Sequence, residues 1–126
     1  MASSVKELLA AANQAVPRID PFKAKEMVEN EDALVVDVRD GPELEANGKV
    51  PGAVHVSRGM LEFRADPESP FHNEAFRKDR PVIVYCASGG RSALAGKVLK
   101  DFGYTKVFNL GGFAEWTGAG LPTESV

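Results

Sequence analysis

Two short segments of the chain are almost wholly apolar and rich in β-branched residues. ALVVDV runs from Ala33 to Val38, and PVIVYC runs from Pro81 to Cys86. Six residues are too few for a buried helix, and neither segment keeps a polar side, so both read as strands covered on both faces. KVFNL, from Lys106 to Leu110, gives a last strand. VPGAVHVS turns at Pro51 and Gly52 and gives a short strand through Val54 and Val56. Helical patterns lie between and around these strands. Ser3 or Ser4 caps a first helix with Val5, Leu8, Leu9 and Ala12 on one face. Asp20 caps a second, with Pro21 at its first position. Gly41 and Pro42 open a third, with an acidic first turn that suits the helix dipole. Short helices are expected near Met60–Arg64 and Asn73–Arg77, around a loop bounded by prolines. RSALAGKVLKDFG forms a longer helix, with Leu94, Val98 and Leu99 inward and Gly103 as its stop. A final short helix in GGFAEWTGAGLP places Phe113 and Trp116 in the core.

Strands alternating with helices imply an α/β fold whose mostly parallel sheet carries helices on both faces. In such sheets ligands bind beyond the C-terminal ends of the strands. Asp37, near the end of its strand, and Cys86, at the end of its strand, both fall there.

Composition narrows this picture only slightly. With 126 residues the chain fits one domain, 1–126, with a real core. Net charge is -3 with no basic patch, which argues against nucleic acid as a partner. No apolar run is long enough to span a bilayer, so no membrane partner is expected. The N-terminal stretch has no basic residue ahead of its apolar part and carries Lys6, Glu7, Asn13 and Gln14, unlike a signal peptide. A cytoplasmic location is the expectation. The single cysteine cannot form an internal disulfide and fits a reducing compartment.

The stretch YCASGGRS, Tyr85 to Ser92, carries the chemistry. A strand ends at Cys86 and a helix begins near Arg91. Ala87, Ser88, Gly89 and Gly90 are small enough for the backbone to curl and turn several N–H groups inward. Such a nest, backed by the positive end of the following helix, binds an anion. A free thiol with a pKa of about 8.5 is only about 3% thiolate at pH 7. Amides, a helix N-terminus and a nearby arginine lower that pKa and make a nucleophile. Arg91 either completes the cradle or turns outward to a carboxylate. A buried cysteine is otherwise a small apolar core residue; the glycine-rich loop favours the functional reading.

Three motifs in order resemble the rhodanese family. LVVDVRDGPELEANGKVPGAVHVS is similar to its first signature, VIVYCASGGRSALAGKVLKDFGY to its active-site strand, loop and helix, and VFNLGGFAEWTGAGLP to its ending. The resemblance implies a rhodanese-like three-layer fold with a mostly parallel central sheet of about five strands. Its core covers 17–124, and 1–16 is an N-terminal helical extension. It also implies sulfurtransferase chemistry: Cys86 takes a sulfane sulfur from thiosulfate or a similar anionic donor. The persulfide then passes that sulfur to cyanide or a thiol, including a thiol on a protein. The amides of Ala87, Ser88, Gly89, Gly90, Arg91 and Ser92 would hold the persulfide anion, and no metal or organic cofactor is required. Asp37 and Arg39 match the family's Asp and Arg, with supporting roles as an ion pair or as backbone partners that hold neighbouring loops. The turn Gly48-Lys49-Val50 lacks the histidine often found there. The stretch 58–79 is longer and more charged than the family minimum, and Arg58, Met60 and Arg64 in it are candidates for a pocket rim or for plain surface.

Phosphatases and arsenate reductases of the same architecture carry C-x-x-x-x-x-R, one residue more than Cys86 to Arg91 here. A phosphate's three oxygens need the larger cradle, so the shorter loop favours sulfur. A persulfide carrier or binding module with little small-molecule turnover is the other reading. His55 and His72 are not spaced as metal ligands, Ser88 has no Gly-x-Ser-x-Gly context, and Asp37, Asp40, Glu43 and Glu45 read as a solvated acidic helix start.

Overall fold

A computed structural model describes residues 3–126. The first helix, α1 (Val5–Ala15), is capped by Ser4, whose side chain accepts from the Glu7 amide. Then follow α2 (Pro21–Glu31), β1 (Leu34–Asp37), α3 (Gly41–Asn47) and β2 (Val54–His55). A 3-10 turn at Arg58–Met60 leads into α4 (Leu61–Ala65). The chain continues through β3 (Val82–Cys86), α5 (Gly90–Asp101), β4 (Val107–Gly112) and α6 (Phe113–Gly118). The strands form one sheet in the order β2-β1-β3-β4, and every pairing is parallel.

The alternation along β1 and β3 builds two cores. Leu34, Val36, Val82, Val84 and Cys86 pack with Val16, Ala95 and Leu99 on one face. Val35, Ile83 and Tyr85 pack with Ala24, Met27, Phe113 and Trp116 on the other. Helices α1, α4 and α5 therefore cover one side and α2 and α6 the other, which gives three layers. Burying the whole length of β1 and β3 explains why neither strand shows polar alternation.

The fifth strand is reduced to one bridge. Pro17–Ile19 runs parallel to the outer edge of β4, where the Asn109 amide donates to the Pro17 carbonyl (2.9 Å) and the Ile19 amide to the Asn109 carbonyl (3.1 Å). Pro17 has no N–H to extend the ladder.

Asn73–Arg77 is not a helix. The Asn73 side chain accepts from the Ala75 amide (2.9 Å) and the Asn73 carbonyl from the Phe76 amide (3.0 Å). These local bonds close a turn that buries Phe76. Two predicted helix faces also shift. In α1, Ala12 is buried, as is Val16 just after the helix, but Val5 and Leu8 are exposed. In α5 the residues nearest the sheet are Ala93, Ala95, Gly96 and Leu99, and Leu94 and Val98 are only partly covered. Gly96 explains the close approach: a Cβ there would lie 2.9 Å from a Val16 methyl. Met1 and Ala2 of the expected 1–16 extension lie outside the described residues. No helix among the described residues is long and apolar enough to cross a membrane.

Candidate active site

Strand β3 delivers Cys86 to the C-terminal edge of the sheet, and the chain curls over it into α5. Gly89 takes the left-handed conformation (φ +104°) that the curl needs. Its amide then points back at the thiol, 3.0 Å from Cys86 Sγ. The Ser92 hydroxyl lies 3.4 Å from Sγ on the other side. Cys86 has no measurable exposure, whereas Ala87 and Ser88 above it are exposed. Burial pushes the thiol pKa up. Hydrogen bonds from the Ser92 hydroxyl and from the amides of Ser92, Gly89 and Ser88 outweigh it, so the net shift is downward.

Arg91 turns outward. Its guanidinium forms a fork on the Glu43 carboxylate, 2.8 and 2.9 Å. Glu43 is therefore not part of a merely solvated helix start; it ties α3 to the first turn of α5. The Arg91 fork, helped by the Asp40 amide, holds the Glu43 carboxyl at about 2, down from 4.5. A depressed carboxylate stabilises the fold above its unfolded pKa and stops doing so as pH falls through its folded pKa. The stability this pair adds should thus be full above about pH 4.5 and fade towards pH 2. Glu43→Gln should flatten that acid limb in thermal unfolding; an unchanged limb would mean solvent screens the half-exposed pair completely.

Asp37 and Arg39 form the expected ion pair, and it is buried: side-chain exposures are 0% and 2%, and Arg39 Nη2 lies 2.8 Å from Asp37 Oδ2. Arg39 also donates to the Gly48 carbonyl (2.7 Å), and Tyr85 donates its hydroxyl to Asp37 (2.6 Å) while accepting from the Val50 amide (3.1 Å). The guanidinium rests 4.4 Å above the Phe113 ring. Burial opposes the Arg39 charge, but the Asp37 hydrogen bonds and charge override it and raise the pKa. The network pins the turn after α3 to the strand ends on the sheet face opposite the thiol.

Between α3 and α6 lies a cavity of about 400 Å³, lined by Arg39, Glu43, Asn47, Ala87, Phe113 and Thr117. The proposed rim residues Arg58, Met60 and Arg64 do not line it. Arg58 pairs with Glu62 (2.9 Å) and borders a separate apolar groove between α1 and α5; Arg64 is exposed, and Met60 is 37% exposed. The reason is direction: this segment crosses the α5 side of the sheet, and the cavity opens on the α3–α6 side.

Asn109, Tyr85 and Phe113 carry no chemical role in any motif of the sequence, yet the fold brings them to the site. Asn109 is fully buried in β4 beneath the loop. Its one sequence signal is to be the sole polar side chain amid VFNLGGF. A β-bulge at that point sets two residues of β4 against one step of β3, so Val84 faces Asn109 and Tyr85 faces Gly111. Among the described residues, no three His, Cys, Asp or Glu side chains cluster as a metal site.

Residues 20–119 match the rhodanese-like domain family. A sulfurtransferase of Allochromatium vinosum is 37% identical over 100 residues, 79% of this chain and 85% of the relative. The thiosulfate sulfurtransferase GlpE of Actinobacillus succinogenes is 34% identical, over 88% of this chain and 93% of the relative. The putative sulfur carrier protein YrkF of Bacillus subtilis is 34% identical over 82% of this chain, which spans 52% of that longer relative. Among solved structures, a Rhodopseudomonas palustris protein described as a possible tyrosine phosphatase superposes with TM-score 0.90 at 38% identity, over 98% of this chain and 96% of that one. The polysulfide-sulfur transferase homodimer of Wolinella succinogenes follows with TM-score 0.77 at 34% identity, over 96% of this chain and 87% of that one.

Proposed function

Because the chain belongs to the rhodanese-like domain family, we propose that it is a sulfurtransferase that carries a sulfane sulfur as a persulfide on Cys86. The observation that carries this reading is the Gly89 amide 3.0 Å from Sγ, inside a loop whose other amides also lower the thiol pKa. The Cys86 thiolate attacks the outer sulfur of thiosulfate. A new S–S bond forms, the old one breaks, and sulfite leaves with the bonding pair. Cyanide or a thiolate then attacks the terminal sulfur, and the Cys86 thiolate is regenerated. The amides of Ala87 through Ser92 stabilise the anion at each stage, as an oxyanion hole does for oxygen. The scheme needs no metal and no organic cofactor. Since Cys86 is covered, the donor reaches Sγ by displacing the exposed Ala87–Ser88 segment.

The phosphatase description of the Rhodopseudomonas palustris structure suggests a second reading. Against it stands Arg91, whose guanidinium is held on Glu43 and is not turned into the loop. A phosphoryl cradle needs that charge. The third reading, a carrier that serves a thiol protein, shares the first step and differs only in acceptor.

Intact mass separates these readings. Thiosulfate should add one sulfur to the wild type and none to Cys86→Ser, and cyanide should remove it. No gain with thiosulfate or 3-mercaptopyruvate, together with turnover of an aryl phosphate, would overturn the proposal. Loading without small-molecule turnover would select the carrier form.

A further inference from the structure

The hydrogen bonds around Ser92 give its single proton one close acceptor, Asn109 Oδ1, with the Gly111 carbonyl far longer at 3.5 Å. Asn109 accepts from the Gly111 amide through Oδ1 (2.9 Å) and donates through Nδ2 to the Gly89 carbonyl (3.2 Å). Those two partners fix which end of the side-chain amide is oxygen. Ser92 Oγ lies 2.8 Å from that Oδ1, which has no proton of its own, so the hydroxyl must donate to it. At Ser92, 3.4 Å away, Cys86 Sγ then meets an oxygen lone pair and no proton. It can complete the bond solely by donating S–H. The amides around sulfur suit a thiolate, but the Ser92 contact as it stands suits a thiol. A thiolate needs the Ser92 proton turned towards it, and turning it gives up the bond to Asn109.

We propose that Asn109 is a positioning residue for Cys86. It holds the Ser92 hydroxyl as a two-position donor, on Asn109 while Cys86 is a thiol and on sulfur once Cys86 is a thiolate or persulfide. Asn109 can release Ser92 without being stranded, because the Gly111 amide stays on Oδ1. When the thiol ionises its proton leaves to solvent, and the Ser92 proton moves by rotation about one bond. Ser92 is fully buried, as is Asn109, so water does not replace either partner. Other charged groups approach the loop from every side. They are Arg91 on α5 with Glu43 and Asp40 on and before α3, Asp37 and Arg39 at the end of β1, and Arg18 with Glu115 on α6. His55 on β2 is bonded to the Arg39 carbonyl (2.7 Å). All remain in place in the variants below.

The inference rests on Cys86 as the nucleophile, yet its test reads only the ionisation of the thiol. A protein that moved no sulfur would still answer it. The probe is iodoacetamide alkylation rate against pH, with far-ultraviolet thiolate absorbance as a second readout; loop opening scales the rate without moving the midpoint. Ser92→Ala should raise the midpoint by about one unit, a tenfold loss of thiolate at a given pH below it. Asn109→Leu frees the hydroxyl for sulfur and should lower the midpoint in the wild type while leaving it unmoved in Ser92→Ala. An equal shift in both backgrounds, or a rise in the wild type, would mean that Asn109 merely braces the loop and would overturn the proposal. If Asn109→Leu does not fold, Asn109→Asp carries the test with the opposite sign. Its carboxylate grips the hydroxyl more strongly, so the midpoint should rise more in the wild type than in Ser92→Ala. Equal rises would overturn the proposal.

Discussion

Asp37→Ala should destabilise the protein by about 3–5 kcal/mol, the usual effect of stranding a buried charge. At this chain length that lowers the unfolding midpoint by roughly 10–20 °C. The substitution leaves the Arg39 guanidinium without its counter-ion and the Tyr85 hydroxyl without its acceptor, both in a region closed to water. The double variant Asp37→Ala with Arg39→Met should recover a large part of the loss. Met keeps an apolar contact on Phe113 and removes the orphaned charge. Denaturant unfolding of both single variants and the double one measures the coupling. Additive losses would show that the two side chains act independently and would sink their role as a paired support.

Gly112→Ala should cut the rate of sulfur loading from thiosulfate by about a hundredfold, with a much smaller effect on folding. Gly112 has an ordinary extended backbone (φ -103°), so strain in the dihedral is not the issue. The space is. A Cβ there collides with the Ala87 carbonyl oxygen and comes within 3.2 Å of the Ser88 Cα. Both are backbone atoms of the loop over Cys86, and Gly112 is paired with Cys86 itself across the sheet. The loop must move, and displacements of about 1 Å at a reacting centre are worth two orders of magnitude in rate. Single-turnover mass spectrometry with circular dichroism as control checks this. Wild-type loading in a folded Gly112→Ala would mean that the loop tolerates the shift, and the amide cradle would lose its claim to geometry.

The parts of the fold that sequence periodicity exposes are those decided within a dozen residues. ALVVDV and PVIVYC are strands because, Asp37 apart, their side chains are apolar on both faces, and both are buried along their length. The loop from Cys86 to Arg91 is legible for the same reason: strand end, small residues and helix start adjoin in sequence. Other features depend on what the parallel register brings together. Arg91 meets Glu43, and Tyr85 meets Asp37, each across 48 residues. Asn109 reaches under the loop only because a bulge in β4 aligns it there. The inward face of α5 misleads for a different reason. Periodicity weighs large apolar residues, but close packing against Val16 selects Ala95 and Gly96 instead. Asn73 misleads because its side chain competes locally for the backbone that a helix would use.

The cradle is made from three places in the chain: the loop after β3, the first turn of α5, and Asn109 with Gly111 on β4. The Gly89 and Ser92 contacts to sulfur lie within β3, the loop and α5, but the bonds of Asn109 to Ser92 and to the Gly89 carbonyl form only once β4 docks beside β3. Parallel pairings close long loops and form late, after local helices. The brace that Asn109 puts on Ser92 and on the Gly89 carbonyl is thus acquired after the helix that carries Ser92. Before that step the Ser92 hydroxyl has no Asn109 beside it, and Cys86 is its nearer partner. Full order at the chain's single thiol therefore waits on a strand that lies outside the loop that carries it.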